Sequence, residues 1–75
     1  MGQAIRRLRE KERLSQERLA LMVGISRQHL SNVESGKANP TVELLYRIAC
    51  GLGTKMTRIL DEADLDELSP SPEGR

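Results

Sequence analysis

Residues 15–36 read SQERLALMVGISRQHLSNVESG, and two serines and two glycines in this stretch mark where helices begin and end. Ser15 and Ser26 each precede a helix-forming run, where a serine oxygen accepts a hydrogen bond from a free amide of the first turn. Gly24 and Gly36 follow the same runs, where a chain leaving a helix adopts a positive φ. The stretch therefore predicts two short helices joined by a very tight turn.

The turn between these two helices constrains how they pack. Only Ile25 separates Gly24 from Ser26, so the helices cannot lie antiparallel and must cross at a steep angle. Ala20 is small enough to let the two backbones approach. The inward positions of the pair are predicted to be Leu19, Ala20, Val23, Leu30 and Val33. Two helices in this arrangement form a helix-turn-helix.

Further helices are predicted on both sides of this pair. Ile5 and Leu8 lie among charged residues at the spacing of a helix with one buried stripe. After a loop that ends at Pro40, Thr41 is placed to cap a fourth helix. The inward residues of the fourth helix are predicted to be Leu44, Leu45, Ile48, Ala49 and Leu52. This is the strongest amphipathic stripe in the chain.

The end of the chain differs in composition from the rest. A short fifth helix is predicted over residues 54–60, and residues 61–68 can extend it. Residues 69–75 read SPSPEGR, a composition typical of disorder. We therefore divide the chain into a helix-turn-helix domain over 1–60 and an acidic, partly disordered tail over 61–75.

Composition and charge limit the class of protein. The chain has 75 residues, with one Tyr and no Phe or Trp, and it is rich in Leu, Arg, Glu and Ala. These residue types favour helices over strands, so we predict an all-α fold of four to five helices. Residues 1–58 hold 11 Lys or Arg against 5 Asp or Glu, whereas residues 59–75 hold 1 against 6. A body of charge +6 beside a tail of charge −5 suggests that the body meets a polyanion.

Several chemistries find no support in the sequence. One Cys and one His cannot form an internal disulfide or a metal cage, and the acidic residues of 61–67 lack the spacing of a calcium loop. No catalytic constellation is present, so we expect neither an enzyme nor a cofactor. Without an apolar run of about 20 residues or a signal peptide, a cytoplasmic protein with no membrane contact is expected. Cys50 is expected to be a small buried or boundary residue.

The second helix of the pair leaves one polar face that the core does not need. This face consists of Ser26, Arg27, Gln28, His29, Ser31 and Asn32, all able to form hydrogen bonds. An α-helix fits the major groove of DNA, where Arg pairs with guanine and Gln or Asn pairs with adenine in bidentate fashion. Free amides at helix starts also bind phosphates. The face therefore predicts contact with double-stranded DNA.

Four short motifs in this order resemble a known family. They are Ile5-Arg6-x-Leu8-Arg9, Ser15-Gln16-Glu17-x-Leu19-Ala20, Val23-Gly24-Ile25-Ser26 and Val33-Glu34-x-Gly36-Lys37-x-Asn39-Pro40. The chain resembles the phage-repressor and Cro-type (XRE) helix-turn-helix family over about residues 2–60. The resemblance implies a compact, lambda-repressor-like bundle that binds operator DNA, usually as a two-fold dimer, to regulate transcription.

The resemblance also implies roles for individual residues. Gln16 occupies a position that lies against a phosphate and the first side chain of the recognition helix. Arg27, Gln28 and Asn32 match base-reading positions. Lys37 and Asn39 match positions that contact the DNA backbone.

Other positions carry structural expectations. In the family, the position of Arg9 pairs with that of Glu34, tying the first helix to the end of the third, so both are assigned to structure. Arg18 stands where relatives often carry an acidic residue, so Ser15 must cap its helix alone. Arg6, Arg7 and Arg13 are interpreted as surface charge.

Two functions are compatible with these observations. The first is a DNA-binding transcriptional regulator, a repressor or autoregulator that binds a palindromic operator as a homodimer. The predicted DNA-binding residues are Gln16, Ser26, Arg27, Gln28, His29, Ser31, Asn32, Lys37 and Asn39. A second subunit is expected to contact Leu45 or Leu52, with Met56, Ile59 and Leu60. The alternative is an antitoxin-type interaction module, whose acidic tail holds a protein partner and which also binds its own operator.

Overall fold

The computed structural model describes residues 1–68, with side chains described through Ala63. Five α-helices lie in this part of the chain: α1 Gly2–Lys11, α2 Gln16–Val23, α3 Arg27–Ser35, α4 Val42–Leu52 and α5 Met56–Leu68. No strand occurs within residues 1–68, so the all-α prediction is confirmed. None of these helices is long and apolar enough to cross a membrane.

Local hydrogen bonds fix where the helices begin and end. Ser15, Ser26 and Thr41 each accept a bond from the backbone N–H three residues later, at 3.0, 2.9 and 3.0 Å. Gly24 and Gly36 end α2 and α3 in the left-handed conformation, with φ of 88° and 87°. The predicted caps and stops are confirmed, and each cap contributes about 1 kcal/mol.

The core forms where α1 packs on α3 and α5 and where α2 packs on α3 and α4. Leu45, Leu52 and Ile59 are at most 5% exposed, so they belong to this core. The prediction that Leu45 and Leu52 face inward is therefore confirmed. The further assignment of all three residues to a subunit interface is wrong, because their burial within one chain leaves almost no surface for a second subunit. Of the predicted interface residues, Met56 is half-buried and Leu60 is 37% exposed.

The fifth helix extends beyond residues 54–60, the shorter of its two predicted ranges. It begins at Met56 rather than Thr54 and runs through position 60 to Leu68 without a break, so the predicted extension is found. Ala63 is 5% exposed, and this further core residue is a reason for the helix to continue. Residues 69–75, for which the composition predicts disorder, lie outside the described residues.

The outer face of α4 also differs from expectation. Cys50 is exposed, because each helical residue turns by about 100° and carries it past the buried Ala49. It lines a surface groove with Met22 and Tyr46, and Tyr46 is 60% exposed. The next residue, Gly51, lies where a Cβ would meet Leu19 and Val23 of α2 at 3.0 and 3.3 Å.

Candidate nucleic-acid interface

A tight turn sets the direction in which α3 leaves α2. The backbone N–H groups of Gly24 and Ile25 both donate to the Ala20 carbonyl, at 2.8 and 3.0 Å. No atom lies within 4 Å of a Cβ built on Gly24, so its left-handed φ rather than lack of space requires glycine there. The turn ends α2 within one residue and lets Ser26 start α3 at once.

The predicted recognition edge of α3 faces solvent. Arg27, Gln28 and His29 are exposed, as is the capping Ser26. The half-buried positions of this edge are Ser31 and Asn32. The opposite side of α3 is buried and consists of Leu30, Val33 and Glu34. Packing of α3 into the protein's own core therefore leaves this edge accessible to a partner.

Two side chains of the edge bond to each other. Gln28 Nε2 donates to Asn32 Oδ1 at 3.1 Å, one helical turn further along α3. Sequence reasoning predicted both residues as separate base readers and missed this link. Their spacing of four residues was the available signal, because side chains at that spacing are neighbours on a helix.

The far end of α3 is held by a buried ion pair. Arg9 of α1 donates to both oxygens of the Glu34 carboxylate, from Nε at 2.7 Å and from Nη2 at 3.1 Å. Its Nη1 donates to the Leu14 carbonyl at 2.7 Å. The two charged side chains are only 10% and 3% exposed. The prediction that this pair is structural is confirmed.

Gln16 joins this ion pair to the surface. Its Nε2 donates to Glu34 Oε1 at 2.9 Å, and its side chain is half-buried. The family resemblance predicted contact with a phosphate and with the first side chain of α3, and it missed the bond to Glu34. Gln16 also lines an open cleft with Ser15, Glu17, Arg6, Arg9 and Arg27. The cleft therefore brings the start of α2 beside three guanidinium groups.

Arg6, which the sequence indicates only as surface charge, is a further candidate for this site. It lines the same cleft as Gln16 and Arg27, and its Nε donates to Glu10 Oε2 at 3.2 Å. The signal was present, because Arg6 and Arg9 lie on one face of α1 at a spacing of three. With its side chain 64% exposed, Arg6 remains accessible to an anion in the cleft.

The loop after α3 presents two of the predicted residues. Lys37 and Asn39 are both exposed. The loop is fixed where the N–H groups of Lys37 and Ala38 donate to the Asn32 carbonyl, at 2.8 and 3.1 Å. A second shallow cleft brings His29 and Asn39 together with Arg47, a further candidate that the sequence did not indicate. Predicted site residues from α3 and from the loop thus share one side of the molecule.

A separate charged cluster ties α1 to α5. Glu62 accepts hydrogen bonds from Arg58 Nε at 3.2 Å and from Arg7 Nη2 at 3.3 Å. Arg58 first and Arg7 second hold the pKa of the Glu62 carboxyl below its ordinary value. Among the side chains described, no group of three or more His, Cys, Asp or Glu could hold a metal ion.

Comparison with known proteins gives this geometry a family. A family model described as "Helix-turn-helix" (HTH_3) matches residues 5–59. The chain belongs to this helix-turn-helix family. The match spans α2, the turn, α3 and the ion pair at the end of α3. The resemblance to the phage-repressor and Cro-type family is thereby confirmed.

Relatives of this helix-turn-helix protein are regulators. It is 38% identical over 64 residues to a Sinorhizobium fredii protein named an uncharacterized HTH-type transcriptional regulator, y4dJ, covering 85% of this chain and 83% of that protein. It is 32% identical over 65 residues to the immunity repressor of Bacillus phage phi105, covering 87% of this chain and 45% of the repressor. This chain is therefore a DNA-binding transcriptional regulator of the phage-repressor type.

A solved structure resembles the whole bundle. The crystal structure of the clp gene regulator ClgR from C. glutamicum superposes with a TM-score of 0.88 and 28% sequence identity. The superposition covers 92% of this chain and 90% of that one. The fold of this chain is thus shared with a known gene regulator.

Proposed function

We propose that the protein represses transcription by binding a palindromic operator as a homodimer, with the exposed edge of α3 in the major groove. One observation carries the proposal: Arg27, Gln28 and His29 are exposed, whereas Leu30, Val33 and Glu34 on the opposite side of α3 are buried in the core. An α-helix held in this way can enter the groove without rearranging the domain.

Base recognition is proposed for the side chains of this edge. Arg27 donates two hydrogen bonds to the O6 and N7 atoms of guanine, and Gln28 pairs with the N6 and N7 atoms of adenine. Asn32 lies one turn behind Gln28 and reaches an adjacent base. Ser26, His29 and Ser31 complete the edge as shorter or secondary contacts.

Phosphate contacts are proposed on both sides of α3. At the start of α2, Gln16 keeps one amide proton that is not donated to Glu34, and the cleft around it holds Arg6 and Arg27. Beyond α3, Lys37 and Asn39 face solvent. These contacts release condensed cations from DNA, so the binding constant should fall steeply as salt concentration rises.

The size of the domain supports the proposal of a homodimer. A single module of this kind buries about 600–1,000 Å² on DNA, and a second recognition helix about 34 Å away supplies further affinity. Large apolar side chains that are exposed and available to a second subunit are Met1, Leu21, Met22, Val42, Tyr46 and Leu60. Sedimentation of Tyr46→Lys and Leu60→Lys variants identifies which side of the bundle the second subunit covers.

Selection of bound sequences from a random pool tests the proposal. The full chain should enrich an inverted repeat whose half-sites are about one helical turn apart. The affinity for the enriched operator should then be measured at several salt concentrations. A pool that yields no motif, or an unpaired half-site alone, would overturn the palindromic homodimer, and a flat salt response would overturn the phosphate contacts.

A further inference from the structure

The hydrogen bond between Gln28 and Asn32 limits how each amide can face DNA. Each side-chain amide has one oxygen acceptor and one NH₂ donor, which exchange places when the amide turns by half a rotation. In the structure, Gln28 Nε2 donates to Asn32 Oδ1 at 3.1 Å. If either amide turned alone, two oxygens or two NH₂ groups would face each other and the bond would break. The two amides can therefore exchange their oxygen and NH₂ positions only together.

The orientation in the structure leaves different groups free on the two residues. Gln28 keeps its oxygen and one N–H, because its other N–H is donated to Asn32. Asn32 keeps both of its N–H groups, because its oxygen accepts from Gln28. Gln28 then matches adenine, which presents an acceptor and a donor in the major groove. Asn32 matches a base that presents acceptors there, namely guanine or thymine.

We infer that Gln28 and Asn32 read two neighbouring bases as one coupled unit, in which adenine opposite Gln28 is favoured only together with guanine or thymine opposite Asn32. The inference rests on the proposed function, because it requires α3 to lie in the major groove. It adds that the preferences at these two positions are not independent. If both amides turn, Gln28 prefers guanine or thymine and Asn32 prefers adenine, so both preferences reverse at once.

Affinity measurements on paired operator changes test the coupling. Gln28→Ala and Asn32→Ala first identify the base pair that each side chain reads, by the position where preference falls most. The wild-type protein is then measured on operators carrying each base pair at the two positions, alone and combined. We expect the combined changes to depart from the product of the single changes by about two- to tenfold, the range of one neutral hydrogen bond.

Variants of Asn32 separate the coupling from a general loss of stability. Asn32→Ala removes the acceptor, so adenine preference opposite Gln28 should fall by about two- to tenfold. Asn32→Asp keeps an oxygen for Gln28 and has no N–H of its own. It should retain adenine preference opposite Gln28 and lose the preference at its own base, although its charge weakens binding to every sequence. Ser35→Ala is the control, because Ser35 Oγ donates to the Asn32 carbonyl and does not touch the amide pair.

The outcomes distinguish this inference from the proposed function. If the wild-type protein enriches a motif but the two positions contribute independently, the coupling is overturned while operator binding stands. Equal adenine preference in the Asn32→Ala and Asn32→Asp variants would also overturn it. If no motif is enriched, the proposed function and this inference are both overturned.

Discussion

The two halves of α3 are held in very different ways, although the helix has only nine residues. In its first half, Arg27, Gln28 and His29 are exposed. In its second half, Val33 is 1% exposed and Glu34 is bound by charged and amide side chains. One short helix thus has a base, which is its buried second half, and an open edge, which is its exposed first half. Stability and recognition can therefore be changed separately by substitutions a few residues apart.

Both charged groups of the base are well supplied with hydrogen bonds. A buried ion pair costs desolvation energy, which only good geometry and additional hydrogen bonds offset. Arg9 reaches both oxygens of Glu34 and also the Leu14 carbonyl, and Gln16 supplies a further donor to Glu34. The pair joins the end of α3 to α1 and to the start of α2.

Glu34→Ala should break the base and give the largest effect. It leaves the Arg9 charge buried without a partner, so the free energy of unfolding should fall by about 3–5 kcal/mol. This is a large fraction of the stability of a 75-residue domain. Urea denaturation followed by circular dichroism at the helical band measures the loss. A fall of less than about 1 kcal/mol would show that the ion pair does not hold α3.

A double variant sharpens this test. Arg9→Met combined with Glu34→Leu removes both charges and keeps much of the volume, so it should cost less than Glu34→Ala alone. The comparison separates the penalty of an unpaired charge from loss of packing. A double variant as unstable as Glu34→Ala would assign the effect to packing instead.

Gly2→Ala should weaken the base by a smaller amount. A Cβ at this position would lie against the Val33 carbonyl oxygen and 2.5 Å from that of Glu34, so the start of α1 must move away from α3. We expect a loss of about 1–3 kcal/mol in unfolding free energy, the usual range for overpacking. Gln3→Ala, at the exposed neighbouring position, is the control. Equal stability of the two variants would show that Gly2 does not support the base.

Arg27→Ala should show the opposite behaviour at the open edge. Because the side chain is exposed, unfolding free energy should change by no more than about 0.5 kcal/mol. Affinity for the selected operator should fall by about 1–3 kcal/mol, with relaxed preference at one base. Lys11→Ala removes the same charge from the α1–α5 side and should retain the base preference. Loss of preference in both variants would contradict base reading by Arg27.

The smallest effect is expected at Glu62, which bonds to Arg7 of α1 and to Arg58 of its own helix. Its pKa is lowered by Arg58 and Arg7, so its ion pairs stabilise the fold above the ordinary pKa of 4.5 and are lost as pH falls through the lowered value. The melting temperature should therefore decrease slightly as pH falls through this acidic range. Glu62→Gln should show a smaller decrease, whereas an identical pH profile would rule out a role for this cluster.

Local features of the fold were predictable from the sequence. Ser15, Ser26 and Thr41 were identified as caps because each bonds an amide only three residues away. The glycine stops depend on φ at a single residue and were found for the same reason. The link between Arg9 and Glu34, which lie 25 residues apart, was expected only through the family resemblance.

Features that depend on packing between distant segments were not predictable. Gly2 is required by carbonyl groups more than thirty residues away, and no periodicity in α1 reveals this contact. The bond from Gln16 to Glu34 depends on the crossing of α2 and α3. Leu45 and Leu52 were correctly predicted to face inward, but their further assignment, with Ile59, to a subunit interface failed because sequence alone does not show how fully the bundle buries them.

Tyr46 gives the molecule a built-in optical reporter. It is the sole aromatic residue of the chain and is 60% exposed on the outer face of α4. Its ring stays in contact with water whether the helices are folded or denatured, so its fluorescence is a poor indicator of unfolding. A neighbouring molecule seated on α4 would shield the ring from a dissolved quencher such as iodide. Quenching experiments without any added dye can therefore detect coverage of this one face.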